Sequence, residues 1–178
     1  AAGDVNGDCY PDIIAAAGPG NGGTLVRVFD GYEARQGNVV QIGSFKPFGG
    51  SWNKGLFVAV GDLDQDGFGD IVVSTGGPAK PRVRVFSGSD VISMAKPPKQ
   101  QFKAFPNSFK GGCTVAVGDY DGDGSLDIVC GAGPTGTPRV RVFDGTSFAL
   151  IDDFLAFDAS HRRGIYVGTA DVDNDGIA

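Results

Sequence analysis

The chain has 178 residues, 41% of them hydrophobic, and a formal net charge of -6, which is enough for one domain with a core of its own. No apolar run approaches the ~18 residues of a membrane-spanning helix, and the basic residues are scattered, which argues against a nucleic-acid footprint. Glycine fills 30 of the 178 positions, more than twice the average of ~7%, and without a collagen period this points to many tight turns between short strands.

All but one of the 21 acidic residues are aspartates, the exception being Glu33. Fourteen of those aspartates fall in four short stretches: Asp4 to Asp12, Asp62 to Asp70, Asp119 to Asp127, and a shortened copy from Asp171 to Asp175. The acidity therefore belongs to sites. Three divalent ions would add six positive charges and cancel the net charge of -6, so the acidity alone says little about which partners are repelled.

The first aspartates of these stretches lie 58, 57 and 52 residues apart, and the segments between them repeat in a fixed order. Each complete acidic loop is followed by a short apolar run: Ile13-Ile14-Ala15, Ile71-Val72-Val73 or Ile128-Val129-Cys130. A turn follows, carrying Gly18-Pro19, Gly77-Pro78 or Gly133-Pro134. Next come Val26-Arg27-Val28-Phe29, Val83-Arg84-Val85-Phe86 and Val140-Arg141-Val142-Phe143, each closed by a turn residue and glycine. Their alternation at a period of two predicts a strand with one buried face. A third element carries Phe45 and Phe48, Phe102 and Phe105, or Phe154 and Phe157. Phe-x-x-Phe breaks the alternation, so the second phenylalanine is placed at the strand end or past a bulge. The fourth element, Leu56 to Val60, Cys113 to Val117 or Ile165 to Val167, is almost continuously apolar, as expected of a strand covered on both faces. Length differences sit in turns. Repeat one has an extra residue around Gly20 to Thr24, and Met94 to Lys99, with Pro97-Pro98, is expected to be an exposed connection.

Four short strands per unit of about 57 residues predict an all-β fold of blade-like repeats that bury their faces against one another, a β-propeller-like array. The repeats run over residues 1–55, 56–112 and 113–164, with a truncated fourth at 165–178. Residue 1 falls inside the strand before the first loop, and Ala178 stops one residue short of the fourth loop's closing aspartate. The chain is accordingly expected to be a segment of a longer array.

In each acidic loop, positions one, three and five alternate along a curling backbone, so their side-chain oxygens turn toward one centre. These are Asp4, Asn6 and Asp8; Asp62, Asp64 and Asp66; Asp119, Asp121 and Asp123; and Asp171, Asp173 and Asp175. The sixth residue must reverse the chain, a task for glycine at Gly67, Gly124 and Gly176, whereas loop 1 has Cys9 there. A backbone carbonyl at Tyr10, Phe68, Ser125 or Ile177 and the closing carboxylate of Asp12, Asp70 or Asp127 complete a hard, all-oxygen, irregular cage. That donor set suits Ca²⁺ better than Mg²⁺ or a transition metal, giving about three complete sites and a truncated fourth. An EF-hand is excluded: its position twelve needs Glu where this chain has Ala15, Val73 and Cys130, and its flanks need helices.

At these residues the chain resembles the FG-GAP (VCBS-type) repeats of integrin α-subunit propellers and of many bacterial surface proteins. The resemblance rests on the D-x-[DN]-x-D-x-x-x-D loops that follow Val-Ala-Val-Gly, at Val58 to Asp70 and Val115 to Asp127, and on Gly-Ala-Gly-Pro at 131–134. It implies four-stranded blades with calcium between the first and second strands, on one face of a propeller, in an extracellular or cell-surface protein. Three repeats are fewer than the ~4 to 8 blades of a closed propeller, so the expected partners are further repeats of the same parent chain or other copies. A glycan or protein ligand fits the same reading.

Two functions compete: a non-catalytic calcium-stabilised module for adhesion, glycan or protein binding or cell-surface assembly, and the propeller portion of a secreted polysaccharide-active lyase or hydrolase. The sequence favours the first. His161 is the only histidine, so no Ser/His/Asp or Cys/His set exists beyond it, and Asp152-Asp153 should point to opposite faces of a strand. Arg27, Arg84 and Arg141 are expected on an outer strand face, paired with nearby aspartates. Cys9, Cys113 and Cys130 have no metal-site spacing and read as small packing side chains.

Overall fold

The computed structural model describes residues 1–20, 25–90, 98–173 and 177–178. Residues 21–24, with most of the extra-residue turn of repeat one, and residues 94–97 of the proposed connection lie outside this set.

The described chain forms three four-stranded antiparallel sheets in which the strands pair in chain order. The first contains β1 (Ala2–Gly3), β2 (Asp12–Ala16), β3 (Val26–Phe29) and β4 (Gln41–Phe45). The second contains β5 (Leu56–Gly61), β6 (Asp70–Thr75), β7 (Arg82–Phe86) and β8 (Gln100–Lys103). The third contains β9 (Cys113–Gly118), β10 (Asp127–Ala132), β11 (Arg139–Asp144) and β12 (Leu150–Leu155). Each sheet is one blade of the expected all-β repeat, and each acidic loop joins the first strand of its blade to the second.

The apolar patterns explain the packing. On β7, Val83 and Val85 are fully buried while Arg82 is exposed, the predicted alternation. β6 and β10 are buried at every residue, as strands sandwiched between neighbouring blades must be. The cores lie between blades. Val26 and Val28 of blade one pack with Ile71 and Val73 of blade two, and Val72, Val83 and Val85 of blade two join Ile128 and Cys130 of blade three. Fully burying a valine is worth ~1.5–3 kcal/mol, so a blade draws most of its stability from its neighbour. Ala116, Val140 and Val142 on the far side of blade three are covered by Ile165 and Val167.

Residues 165–178 follow the repeat without forming a sheet among the described residues. Ile165 N donates to Ala132 O as Leu56 N donates to Ala17 O two repeats earlier, and Ala178 N donates to Asp119 O as Gly69 N donates to Asp4 O. The described residues 165–173 and 177–178 therefore occupy the place of a first strand and the ends of an acidic loop beside blade three.

The Phe-x-x-Phe segments have their first ring on the fourth strand, with Phe48, Phe105 and Phe157 past its end. Register shifts stand on the partner strands, between Val28 and Phe29 and between Val142 and Phe143. A short helix, α1 (Gly31–Arg35), was not expected. It starts where Asp30 accepts a hydrogen bond from Glu33 N at 2.9 Å, so a helix cap stands where the Asp-Gly pair reads as a simple turn.

Arginines join the blades. The Arg84 guanidinium donates to Pro47 O (2.5 Å) and lies 4.9 Å from the Phe48 ring centre, both in the preceding blade. Arg141 repeats this with Ala104 O (3.1 Å) and Phe105 (5.4 Å). Arg141 also pairs with Asp153 at 3.0 Å, as its outer-face placement predicted, whereas Arg84 takes Gln101. Arg27, on the first blade, is exposed and has no such contact among the described residues.

Candidate metal centres

The acidic loops curl because their first aspartate is gripped by the loop's own amides. Asp4 accepts from Gly7 N and Cys9 N (2.7 and 2.8 Å), Asp62 from Asp66 N and Gly67 N (3.0 and 2.9 Å), and Asp119 from Gly122 N and Gly124 N (2.8 and 3.0 Å). Asp8, Asp66 and Asp123 each accept from the amide two residues on. Such side-chain turns hold the backbone in a tight loop that no helix or sheet ladder would allow. Chain reversal at position six uses positive φ at Cys9 (68°), Gly67 (90°) and Gly124 (84°). Position four does the same at Gly7 (79°), Gln65 (58°) and Gly122 (77°). Only the glycines at positions 7 and 122 hinted at this second reversal.

In loop 2, carboxylate oxygens of Asp62, Asp64 and Asp66 come within 4.8 Å of one another; in loop 3 the same holds for Asp119, Asp121 and Asp127. These sets match positions one, three and five, or one, three and nine, of the predicted cage. Asp123 stands outside the loop 3 group and Asp70 outside the loop 2 group. No such carboxylate cluster forms at loop 1 among the described residues, where the Asn6 amide oxygen accepts from Asp8 N and its amide nitrogen donates to Asp8 Oδ2. In loop 4, Asp171 and Asp173 are exposed, while Asp175 and Gly176 lie outside the described residues. Tyr10, Phe68, Ser125 and Ile177 occupy position seven in their loops, and the amides of Tyr10, Phe68 and Ser125 close the turns named above.

The closing aspartates are buried: Asp12 and Asp70 have no exposed surface and Asp127 has 1%. Asp12 accepts from Val5 N (3.1 Å) and Gly31 N (2.9 Å), and Asp127 from Tyr120 N (2.9 Å). The oxygens of Asp70 have no hydrogen-bond partner. The backbone amide of Gly88, the counterpart of Gly31, faces Asp70 and lowers its carboxyl slightly, but does not reach the geometry of a full hydrogen bond. Gly31, Gly88 and Gly145 are glycines for want of room: a Cβ would lie 1.9 to 2.3 Å from a carbonyl oxygen of the acidic loop. Burial raises all three closing carboxyls, Asp70 to about 6. Among the described residues, one basic side chain forms an ion pair with this loop. The Lys99 ammonium hydrogen-bonds Asp64 and lies 3.6 Å from Asp70 Oδ2.

A buried carboxylate without a hydrogen bond calls for a cation, and an all-oxygen set on a flexible loop is what calcium takes. The residues present thus fit the ion at loops 2 and 3. Asp62, Asp64 and Asp66, or Asp119, Asp121 and Asp127, would hold it.

The other candidates are structural. Tyr120 OH donates to Asp152 (2.5 Å) and Asp153 pairs with Arg139 and Arg141, so these two acids serve different partners. Burial works to raise the Asp153 carboxyl, and the two guanidiniums outweigh it and hold it low. His161 is half-buried, with Nε2 3.1 Å from Gly164 O and its ring against Phe157. All three cysteines are free thiols; Cys113 and Cys130 are buried and Cys9 is exposed.

Three antiparallel blades with an acidic loop at the same strand junction in each define a β-propeller-like repeat protein. Models of the FG-GAP-like repeat and of the FG-GAP repeat match residues 4–73 and 112–150. The chain belongs to the FG-GAP repeat proteins. No curated protein matches it. Among solved structures, 98% of the chain overlays a rhamnogalacturonan lyase (PL11) of Bacillus licheniformis at 16% identity and a TM-score of 0.58. The exotype rhamnogalacturonan lyase YesX gives 17% identity over 98% of the chain, with a TM-score of 0.53. Rhamnogalacturonan lyase YesW gives 12% over 89%, with a TM-score of 0.50. The chain spans 38%, 36% and 34% of those proteins, and the likeness is one of fold.

Proposed function

We propose that this chain is a non-catalytic, calcium-stabilised module of an extracellular or cell-surface protein, whose blades present a surface for adhesion, glycan or protein binding, or cell-surface assembly. The observation that carries the calcium reading is the convergence of three carboxylates within 4.8 Å in each of loops 2 and 3, with the fully buried Asp70 closing loop 2. At extracellular concentrations of about a millimolar, calcium saturates even weak sites and stabilises the folded chain by mass action. Equilibrium dialysis with atomic emission tests it. One calcium each at loops 2 and 3 is expected, with the first lost in Asp64→Asn and the second in Asp121→Asn. A chain that retains no calcium contradicts the reading. Further repeats of the parent chain, or other copies, are the partners proposed for the outer blades.

One observation favours a second reading, the propeller portion of a larger secreted polysaccharide-active enzyme: the three solved structures named above are lyases. Assay of the full-length parent on rhamnogalacturonan and a wider polysaccharide panel separates the two. Cleavage supports the second reading, and its absence supports the first.

A further inference from the structure

Loop 2 differs from loop 3 in one respect that the acidic motifs do not contain. Lys99 enters from the segment before β8 and places its ammonium against Asp64, 3.6 Å from the buried Asp70. The strand register makes this residue distinctive. Lys99 precedes the partner of Val85, and the residues that precede the partners of Val28 and Val142 are Ile42 and Ile151. One blade of the three thus carries a cation where the others carry isoleucine. Asp70 is also the one closing aspartate without a hydrogen bond, since Asp12 and Asp127 take amides. An ammonium beside that carboxylate supplies the charge that the missing donors do not.

We propose that Lys99 is a tethered cation that competes with a divalent ion for the loop 2 carboxylates, so that loop 2 exchanges an internal ammonium for metal whereas loop 3 binds metal directly. This rests on the calcium reading of the loops. Loop 2 is then the weaker and more selective site, because the entering ion must displace a charge held by two aspartates. Its filling also releases the lead into β8 from the loop, so metal binding at this blade is coupled to the position of that segment.

The test uses the whole chain with Asp8→Asn and Asp121→Asn, which silence loops 1 and 3, and calcium alone as the probe. Calorimetric titration should show loop 2 binding about fivefold more tightly with Lys99→Met or Lys99→Gln, the upper worth of one partly exposed ion pair. Lys99→Arg should leave the affinity within about twofold of the parent, since the charge remains. In the parent chain, reductive methylation of Lys99 followed by mass spectrometry should be slow in chelator and fast in calcium. Equal affinity with and without Lys99→Met in the Asp8→Asn, Asp121→Asn background, or methylation indifferent to calcium, overturns the proposal when the unmutated chain still binds calcium at loop 3. A chain in which intact loop 3 also ignores calcium overturns the calcium reading and this inference with it.

Discussion

Cys9 has a φ of 68° at the position where Gly67 and Gly124 reverse their loops. A side chain in that left-handed conformation costs roughly 1–2 kcal/mol, so Cys9→Gly is expected to stabilise the chain by about 1 kcal/mol, read as a higher urea midpoint. The two buried thiols behave differently. Burial pushes Cys113 up to about 12 and raises Cys130 as well, and thiolate is the reactive form. A disulfide reagent should therefore label Cys9 at once and the other two only on unfolding; three fast thiols in native buffer contradict the packing. The buried carboxyls set a pH dependence. Asp12, Asp70 and Asp127 are raised by burial in the folded chain, with Asp64 and Asp66 adding to Asp70 and Lys99 opposing. The folded state then holds these protons more tightly than the unfolded one, and the metal-free chain gains stability as pH falls from about 7 through 6 toward 4. Asp144, lowered mainly by its Ser147 hydrogen bonds, works the other way only below about pH 4. A urea midpoint in chelator that drops between about pH 7 and 5 would contradict this.

At the scale of elements, the loops and the alternating strands were legible because both have short periods: carboxylates at every second residue, valines at every second residue. The closing Asp70 and the strand it starts were legible for the same reason. What sequence reading missed is through-space. The Arg84 and Arg141 joints connect residues 37 apart in both cases, a spacing that periodicity within one strand does not contain, although its recurrence was a usable signal. Lys99 meets Asp64 across 35 residues with no second copy to reveal it. Helix α1 turns on a single cap that an Asp-Gly turn mimics. The joints carry a prediction. Arg141 bonds a carbonyl, an aspartate and a ring face, so Arg141→Ala should destabilise the chain by about 1–2 kcal/mol. Arg27→Ala, at the matching exposed position, should change stability by less than ~0.5 kcal/mol. Equal effects in thermal melts would mean the joints contribute nothing between blades.

Across the whole molecule, the cores sit between blades and the acidic loops sit at one strand junction of every blade. A cation at such a junction closes the turn from which the most buried strand, β6 or β10, departs, so its effect on stability reaches beyond the loop. The direct measurement is the melting temperature of the chain in chelator and in about a millimolar calcium. Calcium binding only the folded state raises it by mass action, and saturation far above Kd is worth roughly 2–4 kcal/mol per site. A rise of several degrees that Asp64→Asn with Asp121→Asn abolishes is the predicted result, and superimposable melting curves with and without calcium would contradict the account.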